Sequence, residues 1–166
     1  MIVAAGAGAA AIAATAGLAL PISTPPALLV VTKPYAKLLN GLVMTPAMQL
    51  RQTADGRFSA AAGFDGTDPG DDGAAAAADL FGAVKDLLPS AASLAFDFHV
   101  VGRRPIPRDG FPIVGRAEGI DGLYVAVTHS GITLAPAIGR FVAEEIVTGH
   151  RDPLLAPFGL ERLPKQ

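Results

Sequence analysis

The 166-residue sequence has no cysteine and no tryptophan. Without thiols it can form no disulfide, no thiolate metal site and no cysteine nucleophile. Its three histidines, His99, His129 and His150, lack the i, i+4 spacing of a helical metal pair, so no metal is expected. Positive charge is not in excess either. Thirteen Lys and Arg against fifteen Asp and Glu leave a formal net charge of −2, and nothing argues for a nucleic-acid partner. No charged side chain precedes Lys33. That removes the basic region a signal peptide needs. The apolar opening is mostly Ala and Gly, interrupted by Thr15 and Pro21, unlike the run of about 20 strongly apolar residues that spans a bilayer. No membrane role is expected, and the location is expected to be cytoplasmic.

What is present is apolar: 51% of the residues are hydrophobic, enough for one domain or two small halves sharing a core. Residues 2–5 read as a buried strand and about 8–17 as a short helix ended by Gly17. Strands are expected at 27–31, 94–102 and 124–127. The runs 42–53 and 57–63 flank Ala54-Asp55-Gly56, a hairpin signal because Gly tolerates positive φ. Residues 64–73, FDGTDPGDDG, lack the closing glutamate of a calcium loop and read as a solvated loop. A helix is expected over 74–88, with Leu80, Val84, Leu87 and Leu88 at helical spacing. A second is expected over 135–148, with Pro136 near its start and Ile138, Phe141, Val142 and Ile146 on its apolar face. The fold class is therefore α+β (mixed α/β). An antiparallel sheet with one covering helix, about 27–103, is inserted between two pieces of an α/β layer.

Gly6-Ala7-Gly8-Ala9-Ala10-Ala11 is one letter from the dinucleotide fingerprint. That fingerprint needs a strand before it, a helix after it and an acidic residue about 20 residues on, for the ribose. No Asp or Glu occurs before Asp55. Small residues that let backbone come close to a neighbour are the better reading of these letters.

Two later stretches are more specific: GRRPIPRDGFPIVGR (102–116) and GLYVAVTHSGITLAPAIGRFVAEEIVTG (122–149). Together they resemble the C-terminal signature of the flavin-dependent amino-acid and amine oxidases, the D-amino-acid oxidase, glycine oxidase and sarcosine oxidase family. Its pattern runs G-x-R-P, D-G-x-P-x-x-G, a strand, G-H-S-G, then L-A-P and a helix. DPLLAPFGLERL (152–163) resembles the family's tail, and MQLRQTADGRFSAAAG (48–63) the hairpin of its substrate domain. In that register the opening MIVAAGAGAAAIAATAGLALP resembles a late strand of the family, well after its true fingerprint. The resemblance covers nearly all of this chain but only the C-terminal portion of the family's fold, so the chain is read as truncated.

The resemblance implies a partial FAD-binding domain over 1–26 and 104–166 and a substrate-domain sheet over 27–103. It implies oxidation of an amine or amino acid, C–N to imine by hydride transfer to FAD. Arg104 matches the family's arginine that grips the substrate carboxylate, a role suited to a planar guanidinium fork. Ala5 and Gly6 match the strand end that passes the cofactor. His129, Ser130, Gly131, Ile132 and Thr133 match the loop that meets the flavin; Ser130 or Thr133 could instead cap the helix. Where the family often places a tyrosine, this region offers Met48 and Leu50, which suggests a bulkier or less polar amine. FAD is expected for the complete enzyme and only weakly, or not at all, on this chain alone. The partners expected are a small-molecule substrate and, as one source of the missing half, a separate nucleotide-binding chain. The alternative reading is a non-catalytic remnant that keeps the substrate-domain fold without holding flavin.

Overall fold

The structure, a computed structural model, describes residues 1–62, 69 and 73–163. In chain order its elements are β1 (Ile2–Val3), α1 (Ala9–Ala14), β2 (Ile22–Ser23), β3 (Pro26–Thr32), β4 (Leu42–Met44), β5 (Met48–Gln52), β6 (Phe58–Ala62), α2 (Ala74–Leu87), β7 (Phe96–Arg103), β8 (Ile106–Pro107), β9 (Ile113–Arg116), β10 (Tyr124–Val127) and α3 (Gly131–Thr148). The chain divides into two compact units, residues 1–24 with 104–166, and residues 25–103. Most of the acidic segment 64–73 lies outside the described residues, so the solvated-loop expectation has no structural counterpart to report.

The first unit is built on a three-stranded sheet of order β1-β10-β9. β1 runs parallel to β10, and β10 antiparallel to β9. Period-two alternation sends neighbouring side chains to opposite faces. Val3, Ile113, Val125 and Val127 pack with Ala9 and Ala13 of α1, while Val114 and Tyr124 pack with Val142 of α3 and with Leu155. Leu155 belongs to a 3₁₀ segment, Pro153–Phe158, begun by Asp152, whose carboxylate accepts the Leu154 N–H at 2.8 Å. A separate two-stranded ribbon pairs β2 with β8.

The second unit is a five-stranded antiparallel sheet of order β4-β5-β6-β3-β7. One face carries α2. Leu28, Val30, Met48, Leu50, Phe58 and Ala60 from the sheet close on Ala77, Leu80 and Val84 from the helix. The register between β3 and β7 shifts at Val31/Thr32, and buried Thr32 satisfies the backbone there. Its hydroxyl accepts from Phe58 N–H and donates to Lys33 C=O, both at 2.9 Å.

Several boundaries depart from the sequence expectations. The run 42–53 is itself a hairpin: Thr45 N–H donates to Met48 C=O at 2.9 Å and separates β4 from β5. The last helix begins at Gly131, not at Ala135, which places Pro136 inside it. That proline removes one helical bond, to the Ile132 carbonyl, in a turn whose residues are largely exposed. Its buried face includes Val142 and Glu145, whereas Ile146 is exposed. Met48 and Leu50 lie in the core under α2, so the side chains of β5 on the opposite face are Gln49 and Arg51.

Candidate functional site

In the first unit, a cavity of about 600 Å³ opens where β1 and β10 end and α3 begins. In α/β layers the crevice outside the carboxyl ends of parallel strands is the ligand position, because loops and helix N-termini converge there. The strand ends contribute Ile2, Ala4, Gly6, Val127 and Thr128, and the helix contributes a ridge of small residues. Gly131, Ala135, Gly139 and Ala143 follow one another at i+4, so they share a face.

Two glycines control access to backbone. Gly6 has φ of +55°, which an L side chain adopts only under strain, and the nearest atom to a Cβ added there is Pro105 Cγ at 3.9 Å. A Cβ added to Gly131 would meet nothing within 4 Å. Backbone at both positions therefore stands open to a ligand.

The lining carries no ionisable side chain; its one side-chain polar group is the Thr128 hydroxyl. Electrostatics come from the helix end. The first N–H groups of α3 have no intrahelical acceptor, and the helix dipole favours negative charge beside them. An apolar cavity with a positive helix end beside it suits a largely apolar ligand that carries negative charge.

Of the residues singled out in the sequence, Gly6, Gly131 and Ile132 line this cavity. Ala5, His129, Ser130 and Thr133 adjoin it in the chain but are not part of the lining. Ala5 C=O accepts from Gly8 N–H at 3.0 Å and closes the turn into α1. Ser130 occupies the N-cap position of α3, yet its side chain makes no capping bond. Its hydroxyl lies 3.1 Å from His129 Nδ1 instead. Arg104 is half-buried and precedes Pro105, which does line the cavity. Pro105 and the ridge from Ala135 to Ala143 were not foreseen. The i+4 spacing of small residues was visible in the sequence, but small residues at that spacing serve tight packing as readily as a ligand.

Behind the cavity α3 is fixed by a buried polar group. Tyr124 O–H donates to Glu145 Oε2 at 2.7 Å, and Arg151 donates to the same oxygen at 2.9 Å. Arg151 also donates to the carbonyls of Val114 and Leu155, at 3.0 and 2.9 Å. Burial, reinforced by the Glu145 carboxylate, pushes the Tyr124 phenol above its usual range. The Asp109-Gly110 turn is anchored to the chain's end by Arg162, which donates to the Asp109 carboxylate at 2.8 Å and to Phe111 C=O at 3.1 Å. That guanidinium holds the Asp109 carboxyl below its ordinary range. Among the described residues no cluster of His, Asp and Glu could hold a metal, and no helix is long and apolar enough to cross a membrane.

Residues 1–145 match the family model described as FAD dependent oxidoreductase (DAO). A glycine oxidase from Pseudomonas aeruginosa is 30% identical over 148 residues, which is 85% of this chain and 39% of that protein. The crystal structure of glycine oxidase from Geobacillus kaustophilus superposes with a TM-score of 0.79 at 26% identity, over 99% of this chain and 45% of that one. That of iminodiacetate oxidase from Chelativorans sp. BNC1 gives 0.77 at 25% identity, over 95% and 45%. The chain thus spans less than half the length of these relatives. With nearly nine-tenths of it matched, the chain belongs to the DAO family of FAD-dependent oxidoreductases.

Proposed function

We propose that this chain forms the C-terminal part of a flavin-dependent oxidoreductase that oxidises an amine or amino acid, converting a C–N bond to an imine. The observation that carries the proposal is the apolar cavity at the end of β1 and β10, with Gly6 and Gly131 presenting bare backbone. These residues fit FAD: the slot is apolar, two glycines admit close backbone approach, and a helix N-terminus lies beside it. Bound FAD supplies the hydride acceptor. This chain's residues would hold it through Gly6, Gly131 and Ile132, with the adjoining Ala5, His129, Ser130 and Thr133 shaping the rim.

Segments 1–26 and 104–166 would then belong to the FAD-binding domain and 27–103 to the substrate domain. Arg104 would grip a substrate carboxylate with two charge-assisted hydrogen bonds. Fixing that carboxylate orients the Cα–H, which is orientation catalysis more than acid–base catalysis. The absence of an ionisable side chain from the lining fits this, because hydride loss from a neutral amine requires no strong base in the site.

The test is complementation. The chain is expressed with the portion of the Pseudomonas aeruginosa glycine oxidase that it does not match. The assembled protein should retain FAD, and anaerobic addition of amino acids or amines should bleach the flavin absorbance. The chain alone should retain little. Failure of the assembly to retain flavin, or bleaching by no member of a broad amine panel, would overturn the proposal.

A further inference from the structure

The second unit contains a groove that shares no residue with the cavity above. It measures about 730 Å³ and is lined by residues 35, 37, 39–42 and 51–56. Ligand pockets commonly fall between about 300 and 1,000 Å³. Its walls are unusually well fixed for a segment outside any helix or strand. Gln52 reaches five backbone groups from one carboxamide, one of its two N–H groups being shared between carbonyls. Its Oε1 accepts from the backbone N–H of Leu38 and Leu39 at 2.8 and 3.1 Å. Its Nε2 donates to the carbonyls of Tyr35, Ala36 and Gly56 at 3.2, 3.0 and 3.0 Å. The turn presses on the same segment: a Cβ added to Gly56, which has φ of +84°, would lie 2.8 Å from Tyr35 C=O.

Charge is unbalanced on these fixed walls. Lys33, Arg57, Asp55 and Asp97 form a closed set of two cations and two anions, with Asp97 bonded to Lys33 and Arg57, and Asp55 to Arg57 at 3.0 Å. Asp55, the one acid in the lining, also accepts from the Thr53 hydroxyl at 2.5 Å. Lys37 and Arg51 remain, and neither side chain has an ion-pair or hydrogen-bond partner among the described residues. Tyr35, Leu39 and Leu42 add apolar residues to the same lining, Tyr35 and Leu39 being packed at the same time against the core under α2.

We propose that this groove binds an anionic small molecule with an apolar or aromatic body, its carboxylate or phosphate held by Lys37 and Arg51. Pre-formed walls lower the ordering cost of binding. Two cations that border one groove, neither side chain with a partner among the described residues, supply the charge complement.

The experiment titrates the full chain with phenyl phosphate, with inorganic phosphate as comparator, and reads binding by calorimetry. Protection of Arg51 from phenylglyoxal, mapped by mass spectrometry, is a second readout that needs little soluble protein. One saturable site is expected, tighter for phenyl phosphate than for phosphate, with Arg51 protected. The double variant Lys37→Gln/Arg51→Gln should lose at least about tenfold in affinity. Both side chains are exposed, so its thermal melt should match the parent's. No saturable binding, an affinity unchanged in the double variant, or no protection of Arg51 would overturn the site. Equal affinity for inorganic phosphate would overturn the apolar part of the ligand class.

Discussion

The Tyr124 hydroxyl donates a 2.7 Å hydrogen bond to the Glu145 carboxylate, and that bond joins the central strand β10 to helix α3 inside a buried face. Glu145 is 5% exposed, with Arg151 as its ionic partner. Removing the carboxylate leaves the phenol and the guanidinium without their shared acceptor. Glu145→Ala should therefore cost about 3 kcal/mol, and Tyr124→Phe, which leaves the ion pair intact, about 1 kcal/mol. Urea unfolding of the two variants tests the order; equal losses would show that the phenol, not the ion pair, carries the stability.

The same phenol predicts an alkaline pH dependence. Its folded pKa is raised above the ordinary 10.0, first by burial and then by Glu145. Above the ordinary value the folded state binds the proton more tightly than the unfolded one. The stabilisation is complete below the ordinary value and is lost as pH rises beyond it. Thermal melts across that range should show a steep decline in the parent and a shallower one in Tyr124→Phe.

Asp97 contributes to the acid side. Its carboxyl is held below the ordinary 3.8, first by Lys33 and then by Arg57. A depressed folded pKa stabilises the protein above the unfolded value, and that stabilisation fades as pH falls through the folded one. Asp97→Asn should lower the melting temperature at neutral pH and flatten its fall below about pH 4. A parallel fall in both proteins would assign the acid limb to other carboxylates.

Gly131 separates the cavity's function from its packing. A Cβ there meets nothing within 4 Å, so Gly131→Leu should leave the stability of this chain within about 0.5 kcal/mol. In the complemented enzyme the same leucine should fill the slot beside α3 and abolish flavin retention. Gly6→Ala should differ, since a φ of +55° strains any L residue and costs about 1 kcal/mol. Retained flavin in Gly131→Leu would place the cofactor elsewhere.

What the sequence made legible follows from local physics. Tyr124–Val127, the Asp55-Gly56 turn and the helix from Ala74 were all readable because alternation, glycine and helical spacing act within a few residues. Glu145 was not. A glutamate on a helix reads as solvated, and its burial depends on Tyr124, twenty-one residues away in the chain. The facing of Met48 and Leu50 was hidden for a related reason. Alternation gives two faces but does not say which one α2 covers, and pairing register decides that. Of the cavity lining, Gly6, Gly131 and Ile132 were singled out from the sequence. Pro105 was not, because its place in the lining depends on β8 pairing with β2 across more than eighty residues.

Arg104 carries the most direct test of the proposed chemistry. If its guanidinium grips the substrate carboxylate, Arg104→Ala in the complemented enzyme should raise KM for a carboxylate-bearing amine about 10- to 100-fold, the worth of one or two charge-assisted hydrogen bonds. An amine without a carboxylate should show no such change, because it makes no bond for the variant to lose. Arg104→Lys should recover only part of the loss, since a lysine supplies the charge without the bidentate fork. Melting curves of the chain guard against a structural cause, for Arg104 is half-buried. A rise in KM shared equally by both substrate types, or no rise at all, would return Arg104 to a structural role.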